Sequence, residues 1–110
     1  MSVLHLTAPT GMLNTSVVVP GSKSVVNRAL ICALLAEGES LLSGIPDGDD
    51  TQVLLIVAQE IGKLFRVSDT TMAVRGSRAV RLPGIIDARL AGTSSRFLTA
   101  LAALGETTCI

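Results

Sequence analysis

The chain has 110 residues, with 9 basic and 9 acidic side chains and a formal net charge of zero. That length allows one modest domain, and the even charge argues against nucleic acid or an anionic membrane as partner. Hydrophobic residues make up 48% of the chain, yet the only aromatics are Phe65 and Phe97, so the core must be built from Ala, Val, Leu and Ile.

Met1 to His5 shows no basic segment followed by an apolar one, so no signal peptide is expected. Val3 to Leu6 reads as a short strand closed by Pro9 and Gly11, and His5 within it reads as structural or surface. The β-branched run Thr15 to Val19 predicts a second strand, broken by Pro20 and Gly21. Ser24 is expected to cap a helix running to about Ala36, with Gly38 after it and Ala29, Leu30, Ala33 and Leu34 on its apolar face. Within it, Ala29 to Ala36 is the longest uninterrupted apolar run of the chain, too short to span a bilayer.

Glu39 to Ser43 predicts a strand, followed by a break at Gly44-Ile45-Pro46. Asp47 to Thr51 is a strong helix start, because carboxylates cap free N–H groups and favour the positive end of the dipole. That helix should cover about Thr51 to Ile61, bury Val53, Leu54, Val57, Ala58 and Ile61, and stop at Gly62. Leu64 to Ser68 and Met72 to Arg75 predict a hairpin around Asp69-Thr70. After Leu82-Pro83-Gly84 come a short strand over Ile85 to Asp87, a helix from about Ser95 to Leu104 and a strand opening at Thr107. The order from Pro20 is helix, strand, helix, hairpin, helix, strand, a mixed α/β pattern. Cys32 and Cys109 share no metal-ligand spacing and are expected as free thiols in a reducing cytosol.

The stretch Pro20-Gly21-Ser22-Lys23-Ser24-Val25-Val26-Asn27-Arg28-Ala29-Leu30 carries the most chemistry. Free N–H groups at a helix start attract anions, and here hydroxyls, a lysine and an arginine converge on that end. A cation near a helix N-terminus is unfavourable by about 0.3–1 kcal/mol. An anionic ligand reverses that sign, and Arg28 can lean back over the first turn. Asn27 stands where a capping box would carry Glu, which would compete with the ligand. A P-loop is excluded, since Ser22 rather than Gly precedes Lys23 and position 17 is Val. Asp49 and Asp50 are expected mainly as helix caps, with a secondary role in orienting a neighbouring Lys or Arg. Arg75, Arg78, Arg81 and Arg89 are expected on the solvated surface.

The run from Arg28 to Ala36 is echoed by the run from Arg96 to Leu104, 68 residues later at the arginines. Each follows hydroxyl residues at a helix start and precedes Gly-Glu and then Ser or Thr, at Gly38-Glu39-Ser40 and Gly105-Glu106-Thr107. A repeated unit of about this length is the better reading, with Gly92, Thr93 and Arg96 forming a second anion-binding helix start.

The motif from Pro20 to Leu30 resembles the N-terminal motif of the EPSP synthase (3-phosphoshikimate 1-carboxyvinyltransferase) family. Asp49-Asp50-Thr51 resembles its second landmark, and Leu90-Ala91-Gly92-Thr93-x-x-Arg96-Phe97-Leu98 its Ala-Gly-Thr-x-x-Arg segment. The resemblance covers essentially the whole chain but about the first quarter of a family member. It implies an incomplete α/β (α+β) fold of βαβαββ units, the first over about 20–84 and the second opening at about 85–110. Residues 1–19 would belong to the opposite lobe.

The implied reaction moves the enolpyruvyl group of phosphoenolpyruvate to the 5-hydroxyl of shikimate 3-phosphate, releasing phosphate, in the cytoplasmic shikimate pathway. No metal or other cofactor is implied. Lys23 would be catalytic and contact both substrates, Ser24 and Arg28 would hold shikimate 3-phosphate, and Gly92 would approach phosphoenolpyruvate. Asn27, Asp50, Thr93 and Arg96 would support them. Phe97 stands where many members carry Pro. The full-length family is usually monomeric, whereas this chain alone is expected to be inactive and to associate through open sheet edges. The alternatives are a phosphate-binding module without catalysis, or part of the related UDP-N-acetylglucosamine enolpyruvyl transferase, whose Lys-Asn pair is replaced here by Lys23-Ser24.

Overall fold

The computed structural model describes residues 1–105. Three helices and three strands follow in the order α1 (Lys23–Leu35), β1 (Gly38–Ser43), α2 (Asp49–Glu60), β2 (Leu64–Arg66), β3 (Thr71–Gly76) and α3 (Gly92–Ala102). The alternation agrees with the expected α/β class and with an incomplete βαβαββ unit. The sheet is antiparallel in the order β1-β3-β2, with Leu42 opposite Met72 and Leu64 opposite Val74.

Side chains alternate across a strand. Met72 and Val74 of β3 therefore enter the core beneath the helices, while Ala73 lies on the other face between Leu41 and Phe65. Helices α1 and α2 cover the inner face, and α3 packs against α2. The core is aliphatic: Leu30, Ala33 and Leu34 of α1, Val53, Leu54, Val57 and Ala58 of α2, and Leu98 and Leu101 of α3. The apolar faces read from the 3.6-residue periodicity are thus the buried ones, although Ala29 and Ile61 are only partly buried.

Three expectations need correction. No strand forms in residues 1–20; Val3, Leu4, Leu6, Val17, Val18 and Val19 are exposed. β-branched composition favours extended backbone, but a strand also needs a hydrogen-bonded neighbour, and neither stretch pairs with a strand of the sheet. The radius of gyration is 18.1 Å, against about 13 Å for a compact chain of 100 residues. No strand element forms over 85–87 either, where Ile86 is buried and Ile85 exposed. Helices α2 and α3 each begin earlier than expected, by two and three residues, so Asp49, Asp50, Gly92 and Thr93 lie inside first turns rather than before them. The strand expected from Thr107 and the second thiol, Cys109, lie outside the described residues.

The far end of α1 is fastened to the sheet. The Ser77 N–H donates to the Leu34 carbonyl at 3.0 Å, satisfying one of the acceptors that a helix end leaves open. Backbone approaches so closely here that a Cβ at Gly76 would run into the carbonyl oxygens of Ala33 and Ala36. Gly76→Ala is expected to destabilise the fold by about 1–3 kcal/mol; urea unfolding followed by circular dichroism measures it, and an unchanged midpoint would contradict the close contact.

Candidate functional site

Helix α1 is capped by Ser22 rather than by Ser24. Ser22 is extended at φ −74° and ψ 119°, and its hydroxyl accepts from the Val25 N–H in a long 3.4 Å contact. Both serines flank Lys23, and either chemistry can cap; the helix includes Ser24 as its second residue. The shift frees the Ser24 hydroxyl for another partner. Arg28 leans back one turn, as expected, and donates through Nη1 to the Ser24 carbonyl at 2.9 Å and to the Ser24 hydroxyl. The loop feeding the helix is equally tight, since a Cβ at Gly21 would collide with the Gly44 carbonyl oxygen.

Lys23 is the first residue of α1, and its ammonium forms an ion pair with the Asp50 carboxylate in the first turn of α2. Their side chains are 53% and 27% exposed, so the pair contributes only about 0–1 kcal/mol to stability. Its consequence is positional. Neither Asp49 nor Asp50 caps α2 by a hydrogen bond, since Gly48 occupies the cap. The secondary role expected of the carboxylates, orienting a nearby cation, is the one Asp50 performs. In turn the Ser94 hydroxyl, fully buried in the first turn of α3, donates to the Asp50 backbone carbonyl. Lys23, Asp50 and Ser94 thereby tie together the starts of three helices. Phe97 makes a further link between α1 and α3, with the Arg28 guanidinium carbon 5.9 Å from the centre of its ring.

At the start of α3 no side chain among the described residues caps the helix; the Gly92 N–H donates to the Leu90 carbonyl at 3.1 Å, and the N–H groups of Thr93 and Ser94 remain open to an acceptor. Gly92, Thr93 and Arg96 are exposed there, and among the described residues no ion pair holds Arg96. The expected site residues thus fall into two connected sets. Lys23, Ser24, Arg28 and Asp50 are joined directly, and Gly92, Thr93 and Arg96 share the helix that Ser94 and Phe97 attach to them. The arrangement is an open cationic surface suited to phosphate and carboxylate groups. A cavity of about 330 Å³ lies beside it, lined by Asp49, Asp50, Val53, Arg89, Leu90 and Ala91. A larger one, about 700 Å³ between residues 18–21 and the 44–47 loop, does not include Lys23 or Arg28. No group of three or more His, Cys, Asp or Glu able to hold a metal occurs among the described residues.

Asn27 is fully buried, and among the described residues neither its Oδ1 nor its Nδ2 has a hydrogen-bond partner; the same holds for Thr51 Oγ1. Asn27 lies one helical turn after Lys23 on α1, and Thr51 one residue after Asp50 on α2. Buried polar groups without partners cost about 1–3 kcal/mol each. Asn27→Leu, close to isosteric, is expected to leave stability unchanged or to raise it by up to about that amount. Thermal denaturation tests this, and a loss of several degrees would show that the amide has a partner.

Sequence reasoning did not find Ser22 as the cap or Ser94 as the connector. Nothing in the spacing marks Ser94, because its role depends on a carbonyl 44 residues away. The arginines assigned to the surface are exposed: Arg75 pairs with Glu39 at 3.2 Å and lies over Phe65, and Arg78 meets Glu37 at 3.4 Å. Cys32 is a free, exposed thiol, and no described helix is long and apolar enough to cross a membrane.

Comparison with known proteins agrees with these landmarks. The family profile of EPSP synthase (3-phosphoshikimate 1-carboxyvinyltransferase) matches residues 7–110. A 3-phosphoshikimate 1-carboxyvinyltransferase of Paraburkholderia phymatum is 39% identical over 98 residues, 87% of this chain and 23% of that protein. One from Rhizobium etli is 43% identical over 93 residues, 83% of this chain and 22% of that protein. The pentafunctional AROM polypeptide of Schizosaccharomyces japonicus is 42% identical over 89 residues, 77% of this chain and 6% of that protein. The chain therefore spans less than a quarter of the length of these relatives.

Proposed function

The chain belongs to the EPSP synthase family, and on that premise we propose that it forms one wall of a site that transfers the enolpyruvyl group of phosphoenolpyruvate to the 5-hydroxyl of shikimate 3-phosphate. The convergence of three helix starts with Lys23, Ser24 and Arg28 carries this reading, because both substrates bear phosphate and carboxylate groups. Arg28 and Ser24 bind shikimate 3-phosphate. Ser24 already holds one guanidinium nitrogen, which leaves the rest of Arg28's planar donor fork for the ligand. Gly92 lets backbone approach phosphoenolpyruvate, and Thr93 and Arg96 supply donors beside it. Lys23 belongs to the first set, is linked through Asp50 to the start of α3, and contacts both substrates, while Asp50 orients it.

The reaction breaks the C–O bond between the enolpyruvyl carbon and the phosphate and forms a C–O bond to the 5-hydroxyl, whose proton must be removed. Acceleration needs acid and base groups placed for the transition state as well as substrate binding. In the described surface the groups near the substrates are cations and hydroxyls, with Asp50 already committed to Lys23. We assign proton transfer to residues of a longer protein and expect no turnover from the 110-residue chain by itself. Residues 20–84 then form the first βαβαββ unit, residues 85–110 open the second, and the arm at 1–19 joins the opposite lobe. The setting is the cytoplasm.

Binding can be measured on this chain directly. Isothermal titration with shikimate 3-phosphate should show saturable uptake that weakens roughly 10- to 150-fold in Arg28→Ala, corresponding to about 1.5–3 kcal/mol for a charged hydrogen bond. Equal affinity in variant and parent removes Arg28 from the site. Phosphate release from both substrates by the purified chain would contradict the assignment of proton transfer elsewhere.

A further inference from the structure

The chain has two aromatic residues, and each lies beneath an arginine. Arg75 over Phe65 belongs to the exposed sheet surface, where the same arginine is paired with Glu39. Arg28 over Phe97 is different. Among the described residues no carboxylate pairs with Arg28, and its other contacts are to Ser24 on its own helix. The ring comes from α3, one residue after Arg96, and is half-buried against the core.

We propose that Phe97 is a positioning residue for Arg28: its ring takes the guanidinium as a cation over an aromatic surface and holds it toward the start of α3, where a substrate phosphate or carboxylate binds. This rests on the assignment of Arg28 to substrate binding made above. The two contacts use different parts of the guanidinium. Ser24 occupies Nη1, and the ring attracts the positive charge without using an N–H donor. Nη2 and Nε are left for a bidentate anion. An exposed arginine with one anchor would otherwise lose rotamer freedom on binding; the ring supplies a second anchor before the ligand arrives. Because the ring and Arg96 share a helix, Arg28 is also registered against the arginine of the second set.

Two measurements on this chain test the proposal, and the first needs no ligand. In the parent, the Arg28 Nε–H and δ-methylene NMR signals should show a ring-current displacement that Phe97→Tyr keeps and Phe97→Leu abolishes. Signals identical in the parent and Phe97→Leu would overturn the positioning role. The second is titration with shikimate 3-phosphate. Phe97→Leu is expected to weaken binding about two- to fivefold, the effect of an exposed cation–aromatic contact, and Phe97→Tyr to restore it. In an Arg28→Ala background Phe97→Leu should have no further effect. An equal loss in both backgrounds means that Phe97 acts through packing alone and overturns the proposal; Phe97→Met serves as a second variant if Leu unfolds the chain. A parent chain that takes up no shikimate 3-phosphate refutes the substrate assignment, while the NMR result still decides whether Phe97 positions Arg28.

Discussion

The joining of three helix starts through Asp50 is the constraint on which the rest of the site depends. Each helix N-terminus carries roughly half a positive charge. Three of them, with Lys23, Arg28 and Arg96, gather about four and a half positive charges at one end of the molecule. Two carboxylates, Asp49 and Asp50, oppose them in the first turn of α2. Among the described residues, of these two only Asp50 makes a contact that spans elements, and it does so twice, through its carboxylate to Lys23 and its carbonyl to Ser94. Remaining positive potential is what makes the surface a receptor for anions. Full neutralisation by side chains would give a more comfortable fold and no site.

Much of this was legible in the sequence, because its causes are local. Apolar residues at helical spacing identified the buried faces of α1 and α2. The hairpin around Asp69-Thr70 followed from its turn residues. The cations at positions 23, 28 and 96 stood out because their charge is wrong for the helix end they occupy. Arg28 reaching back to Ser24 follows from the tilt of helical side chains alone.

What escaped were choices between near-equivalent local chemistries and contacts made at long range. Ser22 and Ser24 are the same residue type on either side of Lys23, and only the backbone angles decide which one caps. Gly92 and Thr93 look like loop residues but open α3, since a helix can begin without a side-chain cap. Thr15 to Val19 has the composition of a strand without a neighbour to pair with. Ser94 and Phe97 gain their roles from atoms 44 and 69 positions away in the chain, beyond the reach of any local pattern.

Asn27 and Thr51, whose buried polar atoms have no partner among the described residues, stand on the same two helices as Lys23 and Asp50. The contact at Gly76 carries a mechanical consequence. Helix α1 has 13 residues and is about 20 Å long. One end is pinned where β3 meets Ala33 and Ala36, and the other carries Lys23. A few degrees of rotation at the sheet would displace the first turn of such a rod by about an ångström, enough to strain the Lys23–Asp50 pair at its other end. Gly76, remote from every charged group of the site, is the fulcrum of that lever.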